Sequence, residues 1–231
     1  MTTTRPPTTQ KPSITPVPTG GTTRIGAGFG LASVVLLMAG FALVASADAV
    51  HTNSAESVVG LYTDPDQTLR YVGGLLSCAG LLALLPFVAM LSGRVRDLSG
   101  STAQLAGAAF VVLCLPSQAA GAAALWLGAH EGDAASIVAL NTLRAFTYYA
   151  ALLALAGFLV AVGPGGLSSG RLARWMSWSA VAIGATLAIG VTVAQSGLAD
   201  LASLVTFGWI VVVSIALLRR PERADDVADQ R

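Results

Sequence analysis

Asn141, Arg144 and Tyr148 stand at i, i+3 and i+7 within one apolar stretch, a spacing that stacks an amide, a guanidinium and a phenol on one face of a helix. Gln118 sits in the middle of another apolar stretch, and Arg70 opens a third. Brought together, Gln118 at mid-depth with Asn141, Arg144 and Tyr148 above it and Arg70 at the mouth would line a cationic, amide-bearing cleft. Such a cleft suits a small anion or a lipid headgroup. The competing account is structural and is preferred on the sequence: Arg144 pairs with Asp133 or Glu131, and Gln118 hydrogen-bonds a neighbouring helix.

Other reactive residues do not assemble into a site. Gly166-Leu167-Ser168-Ser169-Gly170 has the spacing of a nucleophile elbow, but it is expected in a Gly-rich loop without the strand-to-helix turn that motif requires. His51 and His130 are assigned to the opposite side of the molecule from Ser168, and no His lies in an apolar stretch, which also disfavours an intramembrane serine protease. His51 and His130 share their side with Glu56, Asp64, Asp66, Glu131 and Asp133, without the paired spacing of a metal site. No apolar stretch holds a carboxylate that could relay protons. No catalytic residue, metal or cofactor is therefore expected, and the chain is not expected to be an enzyme.

The elements that must position the candidate residues are six apolar runs: Ile25 to Val44, Tyr71 to Leu91, Leu105 to Gly128, Leu143 to Val162, Met176 to Gln195 and Leu201 to Leu218. Each is close to the roughly 20 residues needed to cross a bilayer core of about 30 Å. Short loops make each successive pair an antiparallel hairpin. The expected fold is an all-α polytopic transmembrane bundle of six spans in three sequential hairpins, with lipid as its solvent. Of the 13 basic residues, only Arg70 and Arg144 fall on one set of loops. The remainder lie in the amino-terminal tail, in Arg94 and Arg96, in Arg171 and Arg174, and after Leu218. Positive loops stay in the cytoplasm, so both ends are expected inside. The basic residues are scattered at helix ends, which argues against a nucleic-acid partner. Arginine outnumbers lysine 12 to 1, which suggests a GC-rich genome and hence a bacterial inner membrane.

Residues 1–24 hold nine Thr and five Pro, too few apolar groups to offset ordering entropy, and are expected to form a disordered cytoplasmic tail. The six-span domain then covers 25–220, and 221–231 form a short charged tail. Ala45-Ser46-Ala47 has signal-peptidase spacing, but the preceding run is too long for a signal core, and the first span is expected to be retained. Gly26 with Gly30, and Gly73, Ser77 and Gly80, form small-residue stripes suited to close helix approach. Pro86 and Pro116 should interrupt their spans, Pro116 freeing the carbonyl of Val112 for Ser117 or Gln118 to compensate. Cys78 and Cys114 lie at depths differing by about 11 Å, beyond the reach of a bridge. Trp175, Trp178, Tyr71 and Trp126 mark the two interfaces, whereas Trp209 falls mid-span, either packed or facing lipid.

A polar tail, a first span ending in a small acidic loop, and Arg70-Tyr71 opening a Leu-rich span that closes on Arg94-Val95-Arg96 together resemble the six-helix integral membrane proteins of GC-rich bacteria that lack an assigned activity. That resemblance implies a fold and a membrane, and transfers no site residue. The leading functional expectation is a structural or regulatory membrane component, engaging a membrane-protein partner or a second copy through its small-residue faces. The alternative is a small-solute or lipid-headgroup binding protein or facilitator with an external cleft. A water-accessible cavity reaching Gln118 would separate the two.

Overall fold

A computed structural model of the chain describes residues 20–44, 54–63, 67–95, 97–130, 132–193 and 198–219. These residues fold as helices in the order α1 (Gly20–Val44), α2 (Ala55–Tyr62), α3 (Thr68–Ser92), α4 (Asp97–Ala129), α5 (Ala134–Ser169), α6 (Arg174–Thr192) and α7 (Leu198–Arg219). All but α2 are long and apolar enough to cross a bilayer, giving six spans and a multi-pass membrane protein. Of the tail expected over 1–24, residues 20–24 are instead the first turn of α1, and residues 1–19, with the Ala45-Ser46-Ala47 site, His51, Asp64, Asp66, Glu131 and residues 220–231, lie outside the described residues. The end of the bundle bearing α2 and the α4–α5 turn is the one expected outside from the basic loops, and is called the outer end on that expectation.

Sequential neighbours pack on one another, and α1 against α7 closes the ring. α1 and α3 pack most closely through the expected small residues: a Cβ on Gly40 would fall 2.6 Å from the Gly73 carbonyl, so the two backbones nearly touch. Gly26 and Gly30 are covered by Met90 and Phe87 of α3, and Gly80 by Leu37 of α1. In lipid, where apolar surface gains nothing by leaving one apolar medium for another, such close backbone approach is the main source of helix association. The principal core runs along the bundle, with Leu37, Phe87, Leu152, Phe158 and Ile210 at most 1% exposed.

Several span limits differ from the run lengths. α4 and α5 have 33 and 36 residues, about 50 and 54 Å at 1.5 Å per residue, well beyond the core of about 30 Å. α4 begins at Asp97, not Leu105, because a helix can persist beyond its apolar run; α5 begins at Ala134, the early start that the apolar pattern of Ala134 to Leu140 allows. α5 also continues through Pro164 to Ser169, so the Gly166–Gly170 segment is no loop. Ser168 is in the last helical turn, its hydroxyl donating to the Gly165 carbonyl at 3.1 Å, and Gly170 ends the helix at φ 64°, a left-handed cap that glycine adopts without strain. Close packing of Gly163 and Gly166 on Ser177 of α6 holds this turn helical, and a strained serine elbow is excluded there.

Interior polar groups find partners across the bundle. Ser117, next to Pro116, donates to the Arg144 carbonyl of α5 at 2.9 Å. Trp209 is packed, not lipid-facing: it is 6% exposed, and its indole N–H donates to the Ser179 hydroxyl of α6 at 2.9 Å. Cys78 and Cys114 are unbridged thiols. Trp126, Trp175 and Trp178 are all exposed near helix ends, as interfacial aromatics are.

Candidate functional site

The outer ends of α4 and α5 carry a second, smaller core that the sequence did not foretell. Val58 and Tyr62 of α2 pack there on Ala124 and Leu125 of α4 and Ile137 of α5. α2 is only eight residues long and would not hold alone in water. Its fold depends on what satisfies its ends. At the start, the Ser54 hydroxyl accepts from the Ser57 N–H at 3.1 Å. At the finish, α3 and the residue before it supply the caps: the Arg70 guanidinium donates to the Leu61 carbonyl, and Gln67 Nε2 to the Tyr62 carbonyl at 2.9 Å. A cation at a helix C-terminus also meets the negative end of the macrodipole. Gly128 of α4 lets this terminus seat, since a Cβ there would lie 2.0 Å from the Tyr62 carbonyl oxygen.

Seated this way, the Tyr62 phenol becomes the centre of a polar cluster. It donates to Asn141 Oδ1 at 2.8 Å and accepts from Arg144 Nη1 at 3.1 Å. Asn141 is buried behind it, 8% exposed. Arg144 thus binds the phenol, not Asp133, whose carboxylate instead caps α5 by accepting from the Ser136 N–H at 3.1 Å. The pairing of Arg144 with Asp133 expected under the structural account is therefore replaced, because a neutral hydroxyl delivered by α2 reaches the guanidinium at the helix face where Asp133 does not. The alternative with Glu131 falls outside the described residues.

Beneath Tyr62 lies a cleft of about 220 Å³ between α3 and α4, floored by α5. Arg70, Arg144 and Gln118 line it, as expected of them, together with Tyr62, Tyr71 and Cys78. The other walls are apolar side chains such as Leu75, Leu115 and Ala122. No carboxylate among the described residues lines it. Two of the expected residues are elsewhere: Asn141 sits behind Tyr62, and Tyr148, one turn below Arg144, faces Ser203 of α7 and a separate inner void of about 20 Å³. Gln118 borders both the cleft and that void. Its carboxamide has no hydrogen-bond partner among the described residues, so the interhelical bond expected of it is not made there. Ser117, its neighbour in sequence, makes the cross-helix bond instead.

Tyr62 was missed by sequence reading because eight residues give too little periodicity to reveal a helix. The signal present was a Ser54 cap followed by Val58 and Tyr62, four residues apart. No three His, Cys, Asp or Glu side chains converge among the described residues. His130 stacks on Trp126, with ring centroids 4.6 Å apart. Compared with family models, with curated proteins and with solved structures, the chain finds no match in any of the three.

Proposed function

We propose that this multi-pass protein resides in a bacterial inner membrane, with both ends in the cytoplasm, and binds a small anionic ligand or lipid headgroup in the cleft beneath α2. The observation that carries the reading is Arg144: a guanidinium in a largely apolar cleft, shared with Arg70 and Gln118, whose one side-chain partner among the described residues is a neutral phenol. A part-buried guanidinium has donors left over for an anion, and no carboxylate among the described cleft residues occupies them. The order of the two sequence expectations is thereby reversed. A structural role through small-residue faces loses support, because Gly26, Gly30, Gly73 and Gly80 are already covered by this chain's own α1 and α3.

Cys78 offers a direct test, since it lines the cleft while Cys114 borders the inner void. In delipidated, detergent-solubilised protein, a maleimide is expected to label the wild-type chain and not the Cys78→Ser variant. Labelling that persists in Cys78→Ser, or that fails in the wild type, refutes an accessible cleft.

A further inference from the structure

The cleft is open sideways as well as outward. Leu75 on α3 is 71% exposed, and Ala122 on α4 is exposed too, although both line the cavity. These residues lie on the girth of the spans, where the neighbour is the acyl region of the outer leaflet. α3 and α4 stay in contact towards the inner end, where Gly107 meets Val88, and part towards the outer end. A cleft of about 220 Å³ is several times the roughly 30 Å³ share of one water, yet smaller than the roughly 300 Å³ at which sites for drug-sized ligands begin. It fits part of one hydrocarbon chain, not an entire lipid.

Its polar groups are ordered along the bilayer normal. Arg144 packs beside Gly121 of α4. Gln118, three residues deeper on the same helix as Gly121, is about 4.5 Å further into the bilayer at 1.5 Å per residue. That separation matches the few bonds between the phosphate of a glycerolipid and its acyl carbonyl. A carboxamide held at this depth with no partner among the described residues is a donor awaiting an acceptor.

Resting on the binding function proposed above, we infer that the cleft receives one acyl chain of an anionic ester lipid from the outer leaflet, its phosphate on Arg144 and its ester carbonyl on the Gln118 amide. The first methylenes of the acyl chain then lie against Cys78 and Leu115, and the rest of the chain passes through the side opening into the surrounding lipid. Tyr62 holds the guanidinium in place at the outer rim of the cleft.

The test uses the full-length chain in neutral detergent with four probes: lysophosphatidylglycerol, its ether-linked analogue, a monoacylglycerol of equal chain length, and inorganic phosphate. Bound stoichiometry is read by native mass spectrometry, and occupancy by protection of Cys78 from maleimide. Expected is one lysophosphatidylglycerol per chain, with the ether analogue about fivefold weaker for one lost neutral hydrogen bond and the monoacylglycerol about tenfold weaker or more for the lost charge-assisted one. Gln118→Leu should abolish the ester-over-ether preference alone, and Arg144→Ala the phosphate preference alone; Arg144→Lys, which keeps the charge, should restore part of it. Unliganded melting temperatures of the variants confirm that each folds. Equal binding of ester and ether by the wild type, as expected if Gln118 is served by a water in the inner void, overturns the inference, as does equal binding of the monoacylglycerol. If inorganic phosphate alone protects Cys78, the lipid assignment falls and the binding function stands. If the reagent does not reach Cys78 in any state, both fall.

Discussion

Removing one oxygen from Tyr62 should release α2 and leave the six spans intact. Tyr62→Phe deletes a hydroxyl that donates to Asn141 and accepts from Arg144. The first loss strands the Asn141 oxygen, which is buried at 8% exposure. A neutral hydrogen bond contributes about 0.5–1.5 kcal/mol and one to a charged group about 1.5–3 kcal/mol. Because Arg144 is only part-buried and water in the cleft can replace the phenol, its share belongs at the low end. A total of about 2 kcal/mol follows. α2 gains its helicity from docking and not from its own eight residues, so this free energy appears as local opening and not as global unfolding. At about 1.4 kcal/mol per factor of ten, amide hydrogen exchange across Ala55–Tyr62 should accelerate roughly 30-fold. Exchange in α3 beyond its first turn and in α6 should be unchanged. Hydrogen–deuterium exchange with mass spectrometry in detergent micelles reads both regions in one experiment. Protection of α2 within twofold of wild type would show that the phenol does not hold it down, and the reasoning from the cluster would fail.

Other expectations rest on close contacts. Gly128→Ala places a methyl 2.0 Å from the Tyr62 carbonyl, so it should undock α2 by the same exchange measure although every side chain of the polar cluster is unchanged. Gly40→Ala must force α1 off α3, costing about 1–3 kcal/mol as overpacking does, whereas Gly208→Ala, with nothing within 4 Å, should be neutral or slightly stabilising; thermal melts in detergent compare the pair. Ser179→Ala leaves the Trp209 indole without its acceptor inside the bundle and should lower stability by about 0.6–1.7 kcal/mol, measurable as a modest fall in melting temperature. A reporter fused after Arg231 should remain cytoplasmic, and a periplasmic signal there would overturn the sidedness drawn from the basic loops.

The spans were legible in the sequence because lipid imposes a blunt rule: every backbone polar group must be bonded within the segment, over a fixed length. The pairing of α1 with α3 was legible for a related reason, since Gly26, Gly30, Gly73 and Gly80 are where backbones can approach. Helix ends were less so. Asp97 to Gln104 is helical although its composition is mostly polar, whereas the apolar pattern of Ala134 to Leu140 already allowed an early start to α5. In the candidate site, Gln118, Arg144 and Arg70 came together as their depths implied. Tyr148 shares a helix face with Arg144 but sits one turn deeper, below the cleft floor, where that face meets α7. Spacing along a helix fixes direction; which neighbour stands in that direction at each depth is a tertiary matter. Tyr62 was illegible for the same reason, being brought from a loop by contacts with three other helices.

The seam between α1 and α7, where Gly30 lies against Ser214, sets the two termini of the helical ring beside each other at one membrane face. Natural and engineered chains whose ends meet this way tolerate circular permutation. Joining 219 to 20 through a short Gly-Ser linker and opening the chain between α6 and α7, within 194–197, should therefore yield a protein that still inserts, with its new termini delivered to the opposite face. The order in which hairpins leave the insertion machinery would change while their final neighbours would not, so such a permutant separates what the translocating apparatus dictates from what side-chain packing dictates.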